Sequence, residues 1–168
     1  MRNINIMGVK CKGFSLIEFF IVIVILAILA SIGFPSIQKL YRVYKFNQYA
    51  FELENTVKWA KVTAMERSSN ISICLNGNEI RVYDEGTLRS PSCSESENTK
   101  LLKIIRINDT WITPRISVSL DKSGLMFDPR GLAIYSGNIC LTDGERYFKA
   151  VLQSDRGAIG IEGGSGGC

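Results

Sequence analysis

The residue in the most unusual chemical setting is Glu18, a carboxylate near the start of an apolar run of 21 residues from Phe14 to Phe34. No other residue of that run carries a charge. A carboxylate at such depth costs about 2.5–3.5 kcal/mol on membrane-insertion scales, and it is tolerated when it is paired, protonated or close to the interface. Glu18 is therefore predicted to pair with a group outside its own helix. The simpler alternative is that its side chain reaches the cytoplasmic headgroups.

Thiols are the other reactive groups of the chain. The sequence has five cysteines, of which one, Cys11, precedes the apolar run and four follow it. An even number of cysteines in an exported domain is typical of disulfides, and four cysteines allow three pairings. We expect Cys74 to pair with Cys93, which lies on the other side of the first predicted hairpin, and Cys140 to pair with Cys168. If the glycine-rich tail is an artificial extension, only the first bridge should form.

Neither catalysis nor metal binding is indicated. The chain has no histidine, no Cys-x-x-Cys and no Gly-x-Ser-x-Gly or Walker-type glycine loop. A zinc site would require four widely separated thiolates, and the spacing of Asp121, Asp128 and Asp143 matches no calcium loop. The sequence therefore predicts a non-enzymatic protein without a metal or another cofactor.

The apolar run predicts a helix that spans a membrane, because 21 residues at about 1.5 Å each cover a hydrocarbon core of about 30 Å. The preceding residues include Arg2, Lys10 and Lys12 and no acid. This basic leader is predicted to stay in the cytoplasm while the rest of the chain is exported. Without those three residues the chain has 17 basic and 16 acidic residues, so the net charge of +4 is poor evidence for a nucleic-acid partner.

The helical pattern continues beyond Pro35, which we expect to kink or break the helix locally. From there to about Arg67, apolar residues recur at steps of three and four, as expected for one face of an amphipathic helix. The face consists of Val43, Phe46, Ala50, Leu53, Val57, Ala60 and Ala64. Lys39, Arg42 and Lys45 lie elsewhere on the helix and suggest either contact with lipid headgroups or a solvated face.

The remainder of the chain predicts a head of short strands between residues 69 and 162. Apolar residues alternate with polar ones before and after the turn Asn76-Gly77-Asn78, which indicates a hairpin. The predicted strands are 71–75, 79–83, 101–107, 116–120, 132–135, 138–141, 147–152 and 158–162, with Trp111 as a core residue in an irregular connection. Residues 163–167 are predicted to be a flexible linker. The fold class is therefore α+β, with a long N-terminal helix packed on a C-terminal antiparallel β-rich head.

The N-terminal stretch Lys12-Gly13-Phe14-Ser15-Leu16-Ile17-Glu18 resembles the class III signal of type IV pilin-like proteins. The resemblance implies that a prepilin peptidase removes residues 1–13 by cutting between Gly13 and Phe14, and that the amine of Phe14 is then methylated. It also implies that Glu18 meets the free amine of a neighbouring subunit during assembly. Two alternatives are a signal peptide cut after Ala30 and an ordinary single-span anchor.

The head resembles the GspH/FimT family over Val57–Cys74, Phe127–Gly131 and Ser136–Leu141. This implies a pilin-like fold, with a transmembrane or filament-core helix at 14–35 and a periplasmic head at 36–168. It further implies a minor pilin or pseudopilin that resides in the bacterial inner membrane and then in a type IV pilus or a type II secretion pseudopilus, with other pilins as partners. DNA-binding members resemble one another in a C-terminal Gly-Arg-x-Arg stretch. Here only Arg156 occupies that stretch, beside Asp155, so DNA binding in natural transformation is the less favoured role.

Overall fold

A computed structural model describes residues 15–108, 116–121, 124–154 and 157–168. Its longest element is a 52-residue helix, α1, from Leu16 to Arg67, which continues through Pro35 without a break. The chain divides into two units, residues 1–41 and residues 42–168. The predicted core residue Trp111 lies outside the described residues.

Eight strands follow α1 and form two antiparallel sheets of four strands each. The first sheet has the order β3-β2-β1-β5 and the second the order β4-β6-β7-β8. The strands are β1 (Asn70–Asn76), β2 (Glu79–Gly86), β3 (Lys100–Arg106), β4 (Ser117–Leu120), β5 (Leu125–Phe127), β6 (Gly137–Thr142), β7 (Arg146–Leu152) and β8 (Ile159–Ser165). Gly77 makes the predicted tight turn between β1 and β2 possible, because its positive φ of 60° carries little cost without a side chain.

The core of the second unit lies between the apolar face of α1 and the two sheets. Six of the seven residues predicted for that face are buried, and Val43 is half-buried. Leu53 and Val57 are representative, with no more than 1% of their surface exposed. The helical periodicity of the sequence therefore identified the buried face correctly, because that face alone can remove its methyl groups from water.

One predicted strand does not form, and one observed strand is absent from the prediction. Residues 132–135 make only isolated bridges through Ala133, whereas Leu125–Phe127 pairs with β1. The Asp128 carboxylate accepts hydrogen bonds from the N–H groups of Arg130 and Leu132, and this turn directs the chain out of a regular ladder. The predicted linker is also partly regular, because β8 extends to Ser165 opposite β7.

The predicted fold class is confirmed: a long N-terminal helix precedes a head of antiparallel sheets. Across the described residues, no helix is sufficiently long and apolar to cross a membrane.

Candidate functional site

The first candidate site is the exposed apolar surface at the start of α1. Between Leu16 and Phe34, 13 large apolar side chains are at least 43% exposed. They are Leu16, Ile17, Phe19, Phe20, Ile21, Val22, Ile23, Val24, Ile25, Leu26, Ile28, Leu29 and Phe34. A contiguous apolar surface of this kind marks a site that binds protein or lipid.

Apart from Glu18, Ser31 is the only polar side chain described within this surface, and it is satisfied locally. The Ser31 hydroxyl donates to the Ile28 carbonyl at 2.7 Å, one helical turn earlier. Such a bond hides a hydroxyl from an apolar environment without requiring a partner from another element. The backbone and Ser31 therefore leave Glu18 as the one side chain whose charge has to be accommodated.

Glu18 lies in the first turn of α1, where its Oε2 accepts a hydrogen bond from the Ser15 N–H at 3.4 Å. The Phe19 N–H donates to the Ser15 carbonyl at 3.1 Å, so Ser15 occupies the cap position and Glu18 the third helical position. A carboxylate there satisfies an otherwise free N–H and interacts favourably with the helix dipole. Gly13 and Phe14, the predicted cleavage and methylation residues, lie outside the described residues. Their roles stay predictions, as does the assembly role of Glu18.

At the beginning of the second unit, a buried carboxylate joins α1 to the β6–β7 turn. Asp143 has no exposed surface, and its Oδ2 accepts a hydrogen bond from the Arg146 guanidinium at 2.7 Å. Arg42 of α1 lies 3.5 Å from the same oxygen and donates to the Asp143 carbonyl at 3.0 Å. The Arg146 guanidinium also lies 5.0 Å from the centre of the Phe46 ring. Arg42 is thus engaged by the head rather than fully solvated.

The surroundings of Asp143 determine its ionisation. Burial by itself would raise its pKa, but hydrogen bonds from the Arg146 guanidinium and from the N–H groups of Arg146 and Glu145 outweigh burial. The pKa of Asp143 therefore lies below its ordinary value of 3.8. From the sequence alone, the role that this residue suggests is that of a calcium ligand, at a spacing that matches no calcium loop. The sequence feature that indicates its observed role is the turn Thr142-Asp143-Gly144, because an aspartate in a turn typically accepts a hydrogen bond from the backbone two residues later.

Among the described residues, the disulfides are Cys74–Cys93 and Cys140–Cys168, the pairs that the sequence predicts. The two cysteines of each bridge are 19 and 28 positions apart in the sequence, respectively. On the chain-entropy model, each contributes about 3 kcal/mol to stability. Each bridge fixes a segment that has few apolar side chains of its own.

Glu85 supports the first of these bridges, a role that the sequence does not indicate. It is fully buried in β2, where its carboxylate accepts hydrogen bonds from the hydroxyls of Ser72 and Ser92 at 2.6 and 2.7 Å. The Ser92 N–H donates a third at 3.1 Å. Because Ser92 directly precedes Cys93, the carboxylate holds the loop in place beside the disulfide. A glutamate in a strand of alternating pattern gives no sequence signal of this role.

Arg156, the candidate DNA contact, lies outside the described residues, but its neighbour Gly157 is described. The Lys61 ammonium donates to the Gly157 carbonyl at 2.6 Å. Arg130 pairs with Asp128 at 2.8 Å. Burial would raise the pKa of Asp128, but the N–H groups of Leu132 and Arg130 and the Arg130 guanidinium together lower it. Both cations are thus already engaged by protein oxygens.

Asp121, Asp128 and Asp143 are not gathered into one site. The Asp121 carboxylate accepts hydrogen bonds from the backbone N–H and the side-chain amide of Asn138. Asp128 and Asp143 instead accept hydrogen bonds from backbone N–H groups of their own turns. Within the described ranges, no group of three or more His, Cys, Asp or Glu residues is arranged to hold a metal ion.

Comparison with known proteins gives one family match. Residues 9–34 match the model of the prokaryotic N-terminal methylation motif. No curated protein matches the chain. Two crystal structures of the type IV minor pilin FimU of Pseudomonas aeruginosa are similar. One has 20% identity and a TM-score of 0.48 and covers 70% of this chain and 87% of FimU. The other has 18% identity and the same TM-score and covers 69% and 91%.

Proposed function

We propose that this type IV pilin-like protein is a non-enzymatic minor pilin or pseudopilin of the GspH/FimT branch. It serves as a structural or priming subunit of a type IV pilus or of a type II secretion pseudopilus. Prepilin peptidase cuts it between Gly13 and Phe14, and the new amine is methylated. Residues 14–35 hold it in the bacterial inner membrane, with its head in the periplasm, and then contact the helices of other pilins.

The observation that carries the proposal is the exposed apolar surface of α1 with its single carboxylate in the first turn. Water does not favour 13 exposed large apolar side chains, so a lipid or protein partner must cover them. Glu18 lies three residues after Ser15, and Phe14 immediately precedes Ser15. The mature amine and the carboxylate are therefore close in sequence at the end of the helix that enters the filament.

Pairing with a neighbouring subunit explains why a carboxylate is present in this surface. Among the described residues, Glu18 accepts one long hydrogen bond, from the Ser15 N–H at 3.4 Å, and these residues leave most of its acceptor capacity unused. A free amine from a neighbour would supply an opposite charge as both groups leave lipid. That pairing would favour the filament over the membrane pool and fix the axial position of the subunit.

The test is Glu18→Ala compared with Glu66→Ala, which removes an exposed carboxylate at the other end of α1. Both variants should be cleaved, inserted and folded. Only Glu18→Ala should lose incorporation into sheared surface filaments, or cross-linking to other pilin subunits, by about tenfold or more relative to the membrane pool. Replacing Gly13 should instead leave a longer precursor in the membrane. Normal incorporation of Glu18→Ala would contradict the assembly role.

The rival function is that of a DNA-binding minor pilin in DNA uptake. Lys61 is engaged by the Gly157 carbonyl and Arg130 by Asp128, so both cations are already paired with protein oxygens and are less available to phosphates. We therefore expect the full chain to bind duplex DNA weakly and to release it at moderate salt, because few phosphates are neutralised. Binding in the low micromolar range at physiological salt that Arg156→Ala abolishes would favour the rival.

A further inference from the structure

The two sheets of the head end in four edge strands of unequal length. β5 has three residues and β4 has four, whereas β3 and β8 have seven each. A long edge strand exposes a row of backbone donors and acceptors to which another strand can pair. β3 and β8 are therefore the edges on which pairing with another chain has to be either prevented or used.

β3 has the features that prevent such pairing. It carries three cations, Lys100, Lys103 and Arg106. Its register with β2 also shifts between Val82 and Tyr83. Charged side chains and irregular register are the usual protection of an edge strand.

β8 has neither feature. Its sequence, Ile-Gly-Ile-Glu-Gly-Gly-Ser, contains one charge and no proline, and it pairs with β7 in continuous register. Every residue from Gly160 to Ser165 is exposed. The strand is thus an open edge on the surface of the head.

The hydrogen bonds beside β8 establish which of its backbone groups are free. The Gly166 N–H donates to the Glu145 carbonyl at 2.7 Å, so these two residues form a hydrogen-bonded pair. Hydrogen-bonded pairs alternate with non-hydrogen-bonded pairs along an antiparallel ladder. The residues of β8 whose backbone N–H and C=O groups bond to β7 are therefore Gly160, Glu162 and Gly164.

On the opposite side of β7, the Asp143 N–H donates to the Arg146 carbonyl at 3.1 Å, which places the even-numbered residues of β7 toward β6. The odd-numbered residues of β7 then face β8, in agreement with the first assignment. The backbone groups that point to the open edge are those of Ile159, Ile161, Gly163 and Ser165. Within the described chain, no backbone–backbone hydrogen bond outside the ladder reaches them.

The glycines leave room above this edge. A Cβ at Gly160 would approach no atom closer than the Val151 Cβ at 3.6 Å, so the packing of the head does not itself require glycine there. At Gly164 a Cβ would lie 3.0 Å from the Tyr147 ring, which already covers that position. Glycine in a strand interior often marks a place where another backbone approaches closely.

The end of β8 is also held in place before any partner arrives. Cys168, three residues beyond the strand, is joined to Cys140 of β6 in the same sheet. Pairing with a partner would therefore cost little ordering of this strand, and a preorganised strand binds more tightly than a mobile one.

We propose that the open edge of β8 binds an extended polypeptide segment with a lysine or arginine opposite Glu162. The alternating groups at Ile159, Ile161, Gly163 and Ser165 match the spacing of a β-strand. Glu162 lies between two of these outward-facing residues. With an antiparallel partner strand it would form a non-hydrogen-bonded pair, in which the opposed side chains are closest. Its present partner, Lys149, is 3.8 Å away in an exposed pair, so a second cation adds charge complementarity.

Glu162 also opposes pairing of β8 with a second copy of itself. The antiparallel register that overlaps the whole strand places Glu162 at its centre, directly opposite the same residue of the other copy. Like charges in that position destabilise a sheet. The partner is therefore a different segment with a basic centre. This inference goes beyond the proposed function, because binding of a peptide does not depend on filament assembly.

The experiment uses the full chain in detergent micelles and two fluorescent peptides, Thr-Val-Thr-Lys-Thr-Val-Thr and the same peptide with a central Glu. Fluorescence polarisation should show that the Lys-centred peptide binds about three- to tenfold more tightly than the Glu-centred one. Glu162→Lys should reverse that order. A Lys-centred peptide that is N-methylated at the amides facing β8 should not bind, because its donors are lost.

A matched pair of proline variants separates the two long edges. Ile161→Pro removes an N–H that points to the open edge of β8, so it should abolish binding of the Lys-centred peptide while thermal unfolding of the head stays cooperative. Ile104→Pro makes the corresponding change on β3 and should leave binding intact. If Ile161→Pro does not fold, the results with Glu162→Lys and with the N-methylated peptide decide whether β8 is the binding edge.

Four results would overturn the proposal. The first three are absence of binding of either peptide to the parent chain, equal binding of the methylated peptide, and a charge preference that Glu162→Lys leaves unchanged. The fourth is self-association of the chain that the peptides displace, because a second copy would then occupy the edge instead of the stated partner.

Discussion

The two parts of α1 obtain their stability from different sources. In residues 15–34 the large apolar side chains that the structure describes are exposed, and the charged residue Glu18 accepts one long hydrogen bond from the described part of the chain. In residues 42–67 the apolar face is buried and Arg42 binds the turn that contains Asp143. The same helix thus combines an apolar surface that is exposed in the structure with one that its own head covers.

The difference shows that helix formation and helix packing are separate matters. Backbone hydrogen bonds form in both parts, but only burial of an amphipathic face supplies most of the stabilisation of a helix in water. For a side chain such as Leu53 that burial contributes about 1.5–3 kcal/mol. The exposed part has no comparable contribution from burial within the described chain.

The largest expected effect in the head is that of Asp143→Ala. The change removes the carboxylate between Arg42 and Arg146 and leaves two guanidinium groups with a reduced set of partners, so it should destabilise the head by about 3–5 kcal/mol in chemical denaturation. Glu145→Ala is the matched control. It removes an exposed partner of Arg42 and should cost about 1 kcal/mol or less. Equal effects would show that burial of Asp143 adds nothing.

A pair of leucine truncations tests the comparison directly. Leu53→Ala should destabilise the head by about 2–5 kcal/mol because it opens a cavity in the core. Leu29→Ala removes the same methyl groups from the exposed surface and should leave unfolding of the head unchanged within about 0.5 kcal/mol. Denaturant titration of the two variants under the same conditions gives the comparison. A large effect of Leu29→Ala on the head would mean that the two parts of the helix are not independent.

The smallest effect concerns pH. The pKa values of Asp128 and Asp143 lie below 3.8 in the folded head. The unfolded chain therefore binds protons at a higher pH than the folded one, and the stability that these carboxylates contribute is present above 3.8 and lost as the pH falls through the folded values. The midpoint of thermal unfolding should decline on acidification in that range. Asp143→Asn should make the decline shallower, and an unchanged profile would contradict the assignment.

Much of the fold follows from local patterns. Apolar residues at steps of three and four encode the buried face of α1 and its end at Arg67. Alternating apolar and polar residues on both sides of a turn encode the first hairpin at Gly77. The strand at Leu125–Phe127 was missed, because a run of three apolar residues has no periodicity of its own. It became a strand through pairing with β1. The predicted last strand ends at Glu162, because Gly163 and Gly164 are typical of a linker. In the folded head, β8 continues to Ser165 and the Tyr147 ring covers Gly164.

The sequence by itself determined the N-terminal signal, the position of Glu18 and the amphipathic face of α1, because each depends only on residue types at fixed spacing. Only the tertiary structure decided which polar groups become buried partners. Arg42 and Asp143 are 101 residues apart and meet because the β6–β7 turn packs beside α1. Glu85 is buried because Ser72 and Ser92 converge on it. No local sequence pattern encodes such contacts, because they form only when burial of the core brings distant segments of the chain together.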